Sequence, residues 1–546
     1  MTTHDTPATF RTRVNLVQVP VVVRDREGHA VGNLRKEDFQ VFDQGKLQVI
    51  TNFTVDKSGG QTTSAEAAPA GPATEAPPGE KPLAAMPDRF VAYFFDDIHL
   101  VQGDLVQVRD AAERHLNESL TPGDRVGIFT TSGRTTLDFT DDRAKVHETL
   151  LRLRPQPIAR SMTAECPDID YYQADLIMNK NDPTALQAAT LEAILCMSLD
   201  PTDQSSTQQA QSMSRATASR VINEGDAETR VSLTTLRDVV RRISTMPGKR
   251  SIILISPGFL TLYDIQQEKT EIIDRAIRFN VIISTLNARG LFTVIPGGDA
   301  SQPGPQSPIA AAMKSQYQTA SALAEEDVLA ELASGTGGAF FHNNNDLVEG
   351  FKRVAARPEY VYVLGFSPQN LKLDGRFHSL KVTLQNANKL NLQARRGYYA
   401  PKHMADPEET AKEEIQDALF SREELRDIPV EIHTQFFKSS ELNARVAVMV
   451  RVDVRRLKFR KENGRNCDDL AIVSALFDRN GNLVTGTHKN IEMRLRDQTL
   501  ENRLGSGITV KSNFDDVKPG SYVIRLVVRD SEGQLMAAAN GAVEIP

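Results

Sequence analysis

The run Phe90-Val-Ala-Tyr-Phe-Phe-Asp-Asp-Ile-His99 decides how the chain is read. Unbroken apolar and aromatic residues describe a strand covered on both faces, as in a parallel sheet layered by helices. The run stops on two adjacent carboxylates. In open α/β sheets, ligands bind outside the carboxyl ends of the strands. Asp96 and Asp97 therefore mark the candidate functional edge.

Outward from that strand, apolar strands alternate with helical stretches from 88 to 357. Strands are expected at 90–95, 125–130, 251–256, 281–286 and 339–341. Helices are expected at about 103–118, 142–152, 230–246, 267–279, 320–334 and 345–355. This rhythm predicts a doubly wound, mostly parallel, Rossmann-like sheet. Residues 155–225 break it with an excess of Pro, Asp, Gln, Ser and Met, and are too long for a simple connection. They read as an insertion with one helix near 184–197. Tyr171 and Tyr172 there are candidate partner contacts, because aromatics are over-represented at binding hot spots. Packing within the insertion is the alternative.

Both flanks read as β. Residues 11–56 hold apolar, alternating runs bounded by turns such as Asp25-Arg-Glu-Gly28. Residues 57–87 are Ala/Pro/Gly-rich without periodicity, the composition of a flexible linker. Residues 358–400 return to strand, and layer logic suggests that they complete one sandwich with 11–56. A polar helix is expected over 406–420, then a sandwich of short strands over 428–546. A strand–Asp–turn–Gly pattern recurs at Val22–Gly28, Ala475–Gly481 and Val527–Gly533. The fold class is thus α/β plus all-β, a doubly wound sheet flanked by N- and C-terminal sandwich regions.

Composition removes several function classes. The net charge is −7 over 546 residues, which gives no electrostatic case for nucleic acid. No apolar run of about 18 residues marks a transmembrane helix. No P-loop, HExxH or Gly-x-Ser-x-Gly occurs, and the histidines show no metal-type cluster. Gly335-Thr-Gly-Gly338 follows a helix, the wrong order for a dinucleotide fingerprint, and reads as a helix cap and turn. There are three cysteines and no CxxC pair. Cys166 and Cys196 share the insertion, where an oxidising compartment would permit a bridge; two ordinary thiols are the alternative.

Five ordered segments carry a resemblance. They are Val19-Pro-Val-Val-Val-Arg-Asp25 with Leu34-Arg-Lys-Glu-Asp-Phe-Gln-Val-Phe-Asp-Gln-Gly45; Phe95-Asp-Asp-Ile-His99; Pro247-Gly-Lys-Arg-Ser-Ile-Ile-Leu-Ile-Ser-Pro-Gly-Phe259; Asn287-Ala-Arg-Gly290; and Thr336-Gly-Gly-Ala-Phe340 with Tyr362-Val-Leu-Gly-Phe-Ser-Pro368 and Arg396-Gly-Tyr398. In these the chain resembles von Willebrand factor A domains, and more narrowly the "VWFA-related" proteins frequent in Acidobacteria. The resemblance implies a metal-ion-dependent adhesion site that takes Mg²⁺ and an acidic residue of a protein partner. It also implies export to the periplasm, envelope or medium, although the N-terminus of this chain shows no signal pattern.

The chain departs from the family pattern Asp-x-Ser-x-Ser. Asp96 matches the first position, but Ile98 and Leu100 stand where the serines belong. Proline follows Ser256 where the third loop would carry an acid. Thr234 and Thr235 are the candidates for the family's threonine. A substitute site for Mg²⁺ or another divalent cation would use Asp96, Asp97, His99 and Ser256; no other cofactor is called for. The alternative for Asp97 and His99 is a turn capping the helix that follows.

Three functions follow. The first is a non-enzymatic adhesion or protein-binding role through a degenerate site. The second is a structural subunit of an envelope complex. The third is a metal-dependent hydrolase at the same edge.

Overall fold

The structure is a computed structural model that describes residues 17–25, 31–57, 87–158, 166–262, 265–291, 308–355, 360–368, 376–385, 390–394, 397–400, 407–421, 424–440 and 442–546. The expected linker, 57–87, lies outside these apart from its two ends. The chain divides into two units, one joining its N-terminal residues to 356–405 and one holding most of the remainder.

The first unit is built from two distant segments. The strand Val17–Arg24 pairs antiparallel with Tyr360–Phe366, from Val17 opposite Phe366 to Val21 opposite Tyr362. Phe39–Asp43 pairs in the same way with Phe377–Leu384. Two four-stranded sheets result, each mixing strands from both segments. Alternate residues Val19, Val21, Val41, Tyr362 and Leu364 are buried between them, as a period of two requires. Tyr362 is buried with its hydroxyl donating to Val31 O at 2.6 Å and accepting from Leu34 N at 3.2 Å.

The α/β part of the second unit has six strands: β1 (Arg89–Phe95), β2 (Asp124–Thr130), β3 (Leu137–Thr140), β4 (Lys249–Ser256), β5 (Val281–Asn287) and β6 (Phe340–Phe341). Its helices are α1 (Gln102–Ser119), α2 (Arg143–Leu151), α3 (Tyr171–Met178), α4 (Pro183–Cys196), α5 (Gln204–Ser244), α6 (Gln266–Arg278), α7 (Pro308–Thr336) and α8 (Leu347–Val354). The sheet order is β3-β2-β1-β4-β5-β6, and only β3 is antiparallel. Val91, Tyr93 and Phe95 of β1 face a core shared with α1, α2 and α8. Phe90, Ala92 and Phe94 face the other core, shared with α5, α6 and α7. Both faces of the central strand are therefore covered, and its carboxyl end is left to carry function.

The insertion differs from its reading. Residues 166–225 form α3, α4 and the first half of α5, which runs unbroken for 41 residues. Asp203 caps α5, accepting from the N–H groups of Ser205 and Ser206. The buried stripe of its first half is Ala210, Ser214, Thr217, Ala218 and Gly225. These small residues sit at helical spacing but carry little hydrophobic signal. Cys166 and Cys196 are joined by a disulfide with Cα atoms 6.0 Å apart, and Cys467 is free. Lys314 of α7 pairs with Asp168 at 2.7 Å and Glu192 at 3.0 Å, tying the insertion to the sheet domain.

The C-terminal sandwich belongs to the same unit. Its long hairpin, Arg465–Asp478 with Leu483–Leu495, turns at Gly481, which has φ +81°. A side chain there would collide with the ring of Phe90. Arg125 Nη2 donates to Arg479 O at 2.7 Å, and Arg242 Nη2 to Asn482 Oδ1 at 2.7 Å. Arg250 Nη2 and Gly248 N reach Phe420 O, the last residue of the helix Pro407–Phe420, at 2.8 and 3.1 Å.

Arg525 is wholly buried in this sandwich. Its Nε and Nη2 donate to Ala418 O at 3.1 and 2.8 Å, closing the last turn of that helix, and its Nη1 donates to Asn540 Oδ1 at 3.1 Å. Arg525→Ala strands a buried carbonyl and opens a cavity, so a loss of about 3 kcal/mol is expected. Denaturant unfolding of the full chain, followed through the sandwich transition, measures it.

Candidate functional site

The site is set by where β1 ends. Asp96 N still donates to Ile255 O on β4 at 2.9 Å, so the residue is held in the sheet. The chain then folds back, with His99 N and Leu100 N donating to Asp96 O at 3.2 and 3.0 Å. Ile98 and Leu100 are buried by this turn, and Leu100 joins the core beneath α1. The two positions that would carry serines are thus buried apolar side chains that offer the edge no hydroxyl.

Asp96 is 1% exposed and fully engaged. Its Oδ1 accepts from Thr131 Oγ1 at 3.0 Å, and its Oδ2 from Ser256 Oγ at 2.7 Å. His99 Nδ1 stands 3.0 and 2.9 Å from the two oxygens. An ionised carboxylate only accepts, so Nδ1 carries the hydrogen. Burial opposes the charge on Asp96, but the His99 ring and the two hydroxyls outweigh it and hold the carboxyl below its ordinary range. Burial likewise opposes a charged His99, yet Asp96, with Glu228 and Glu325 behind it, raises the ring above its ordinary value. The ring stacks on Phe259 with centroids 5.5 Å apart.

Asp97 turns the other way. It accepts from Ser132 N at 2.8 Å and Ser132 Oγ at 2.5 Å, while its own carbonyl accepts from Gln156 N at 2.6 Å. Burial raises its pKa despite these bonds. Neither Asp97 nor His99 caps the next helix, correcting that alternative: α1 starts at the N-cap Val101 with no side-chain cap. Both side chains are spent on closer partners.

Asp96, His99 and Ser256 come together, and Asp97 stands apart from them. Thr235 reaches the edge only through the main chain, donating to Thr131 O at 3.1 Å, and Thr234 is exposed. The threonine hydroxyl that meets Asp96 is that of Thr131, which sequence reasoning missed together with Ser132. Their signal was present in Thr130-Thr-Ser-Gly133, a hydroxyl-rich turn directly after an apolar strand. Outside them, Glu325 of α7 accepts from Arg289 Nη1 at 3.1 Å and Ser321 Oγ at 3.0 Å. Burial raises Glu325 even beside Arg289. Gly258 has φ +97°, and any side chain there would strike Glu325 O.

This donor set does not fit Mg²⁺. The ion needs carboxylate or hydroxyl oxygens with free lone pairs. Asp96 already takes three hydrogens, from Thr131, from Ser256 and from the one Nδ1–H that His99 shares between both oxygens, and both oxygens of Asp97 are bonded to Ser132. Among the described residues, no group of three or more His, Cys, Asp or Glu side chains is placed to hold a metal. The imidazole occupies the side of Asp96 that a cation would need.

The tyrosines of the insertion are both half-buried. Tyr171 donates to Asp226 and lies against Gly225 of α5, while Lys180 Nζ sits 6.0 Å from the centre of the Tyr172 ring. Asp170, which caps α3, is pushed up to about 7 by burial.

No protein-family model matches the chain, and no curated protein does. Among solved structures it is similar to the hypothetical protein BatB from Bacteroides thetaiotaomicron, at 15% identity over 49% of this chain and 97% of that one, with a TM-score of 0.23. An aerotolerance-related membrane protein from Bacteroides fragilis gives 12% identity, 49% and 96% coverage, and 0.24. A glycoside hydrolase family 2 beta-glucuronidase gives 12% identity and 0.15, and the match spans 21% of this chain and only 11% of that enzyme. At these scores the likeness establishes neither fold nor activity.

His99→Ala leaves a buried carboxylate without its cation, so a loss of about 3–5 kcal/mol is expected in the α/β domain. Mg²⁺ is expected to leave the wild-type melting temperature unchanged and to recover part of the loss in His99→Ala, where Asp96 regains free lone pairs. Calorimetry of both proteins, with and without the ion, decides; a wild-type gain would mean that the cation displaces the ring. The pH dependence has a definite sign. Asp96, held low, contributes stability that is lost as pH falls; His99, held high, contributes stability that is lost as pH rises through its folded value. The pair therefore supports the fold most fully between about pH 4 and 6.5.

Proposed function

We propose that the chain is a non-enzymatic protein-binding protein, with an α/β domain of von Willebrand A type, that receives a protein partner at the carboxyl edge of its sheet. The carrying observation is the makeup of that edge: a buried carboxylate engaged by His99, Thr131 and Ser256, with exposed apolar side chains on the segments that follow the strands. Val101 precedes α1 in the loop after β1, and Leu291 lies four residues beyond β5; they are 61% and 55% exposed. Ile158, two residues beyond the Gln156 that bonds Asp97 O, is 52% exposed. Exposed apolar side chains on the loops of such an edge suit docking of another protein. A hydrolase would need an acid, base or nucleophile free to meet substrate, whereas Asp96 is buried and already engaged by three donors.

The strand order and the position of Asp96 support the von Willebrand A reading. The Cys166–Cys196 disulfide supports an oxidising compartment, and so a secreted or envelope location. The envelope-subunit reading has one observation of its own. Phe437 and Leu442, at the hairpin joining Val430–Lys438 to Ala444–Val452, are both exposed.

Cross-linking capture in EDTA tests the proposal with three proteins: wild type, Val101→Asp combined with Leu291→Asp, and Phe437→Asp. One partner held by wild type and by Phe437→Asp, but lost from the edge variant, is the expected result. The opposite pattern would move the interface to the hairpin and favour the envelope reading. A partner released by EDTA alone would overturn metal-independent docking.

A further inference from the structure

The C-terminal sandwich holds a pair of acids that the edge does not use. Asp468 lies on the strand Arg465–Asp478, and Asp530 ends the strand Gly520–Asp530. Asp530-Ser-Glu-Gly533 is one of the recurring Asp-to-Gly turns of the sequence. Its companion at Asp478 is fully satisfied, since Oδ1 accepts from Asn480 N and Asn482 N, each at 2.8 Å, and Oδ2 from Asn482 Nδ2 at 3.0 Å. The turn at Asp530 is not. Its Oδ1 accepts from Gly533 N at 2.8 Å, while Asp468 Oδ1 accepts from Asp469 N at 2.8 Å and Glu532 N at 3.4 Å. The Oδ2 of each acid is buried and meets no donor. The residues are 2% and 0% exposed, and the turn that Asp530 opens lies against Asp468, with Ser531 N donating to Asp469 O at 3.0 Å beside the Glu532 contact.

The charged groups around them do not neutralise the pair. Arg460 is turned to Glu532 at 3.7 Å and Glu462 at 3.3 Å. Arg529 pairs with Glu414 at 2.9 Å, Arg494 with Glu492 at 3.6 Å, and Lys461 with Asp497 at 3.3 Å. Asp469 stands opposite Glu492 on the neighbouring strand, and Asp427 Oδ2 accepts from Met536 N at 3.4 Å. Two facing carboxylates cannot both ionise in such a place unless a cation joins them.

We propose that Asp468 and Asp530 share one proton and so latch the turn 531–534 onto the strand Arg465–Asp478, and that the latch opens when the proton passes to solvent. The shared hydrogen joins the two oxygens that otherwise lack a donor. Burial first, and then the charge of Asp530, pushes the Asp468 carboxyl up to about 8. An unfolded carboxylate titrates near about 3.9. The folded state thus holds a proton that the unfolded chain releases, and stability falls as pH rises from about 4 to about 8. The strand affected is Met536–Ile545, which follows the turn and lies between Gly520–Asp530 and Leu425–Arg426.

Hydrogen–deuterium exchange of the full chain at pH 6 and pH 9, corrected for intrinsic rates, tests the latch on peptides covering 520–545. At least about tenfold loss of protection at pH 9 is expected in wild type. Asp468→Asn, whose amide donates at either pH, is expected to hold protection constant. If that variant does not fold, Asp530→Asn gives the same reading from the other side. An infrared band of a protonated carboxyl at pH 7, lost in the variant, is the second readout. Equal protection at both pH values, or the same fall in both Asn variants, would overturn the proposal. So would full protection of wild type at pH 9 on adding Ca²⁺, which would assign the pair to a cation.

Discussion

The α/β domain is organised around the need to neutralise one carboxylate. Asp96 is carried into the interior by a strand buried on both faces, where an unpaired charge would cost several kcal/mol. Three separate pieces of chain answer that cost. The loop after β2 brings Thr131, the end of β4 brings Ser256, and the turn after β1 brings His99. Each bond also fixes the piece that supplies it. The loops of the edge therefore owe their conformations to a charge more than to their own turn propensities.

The strand β1 is held at its other end as well. Phe90 receives the Gly481 turn of the C-terminal hairpin, and Arg125, Arg242 and Arg250 donate to main-chain or amide oxygens of the sandwich and its leading helix. Almost all of these contacts are hydrogen bonds from guanidinium groups, which hold planar geometry well. The sandwich thus acts as a base for the sheet domain, fixed at the end opposite the loops that carry the polar cluster.

How much of this was legible depended on how each residue is buried. The central strand was readable because its apolar run has no interruption. The first half of α5 was not, because Ala, Ser, Thr and Gly at helical spacing look like a polar loop when read by composition. Asp96, His99 and Ser256 could be named from the ends of strands, which is where topology brings distant segments together. Thr131 was missed because Thr234 and Thr235 stood as the candidate threonines, whereas the threonine that bonds Asp96 follows the neighbouring strand β2. Asp468 and Asp530 were invisible because nothing in sequence tells a buried acid from a solvated one. The reading of Asp97 and His99 as helix caps failed for a related reason, since capping competes with stronger partners that local sequence does not show.

The first unit imposes an order on how the protein is made. Val17 pairs with Phe366, and Val21 and Val23 pair with Ala394 and Leu392, so among the described residues the strand Val17–Arg24 bonds to strands synthesised last in that unit. Between them lies an entire α/β domain whose own strands and helices are contiguous. Domains generally fold as units during synthesis, and this one can close while the N-terminal strands still lack partners. The strand Val17–Arg24 then waits, with open edges and a Val-rich surface, for residues some hundreds of positions later. The interval is a period of vulnerability in the biogenesis of the protein, and it lasts as long as the ribosome, or an export channel, takes to deliver residues 360–400.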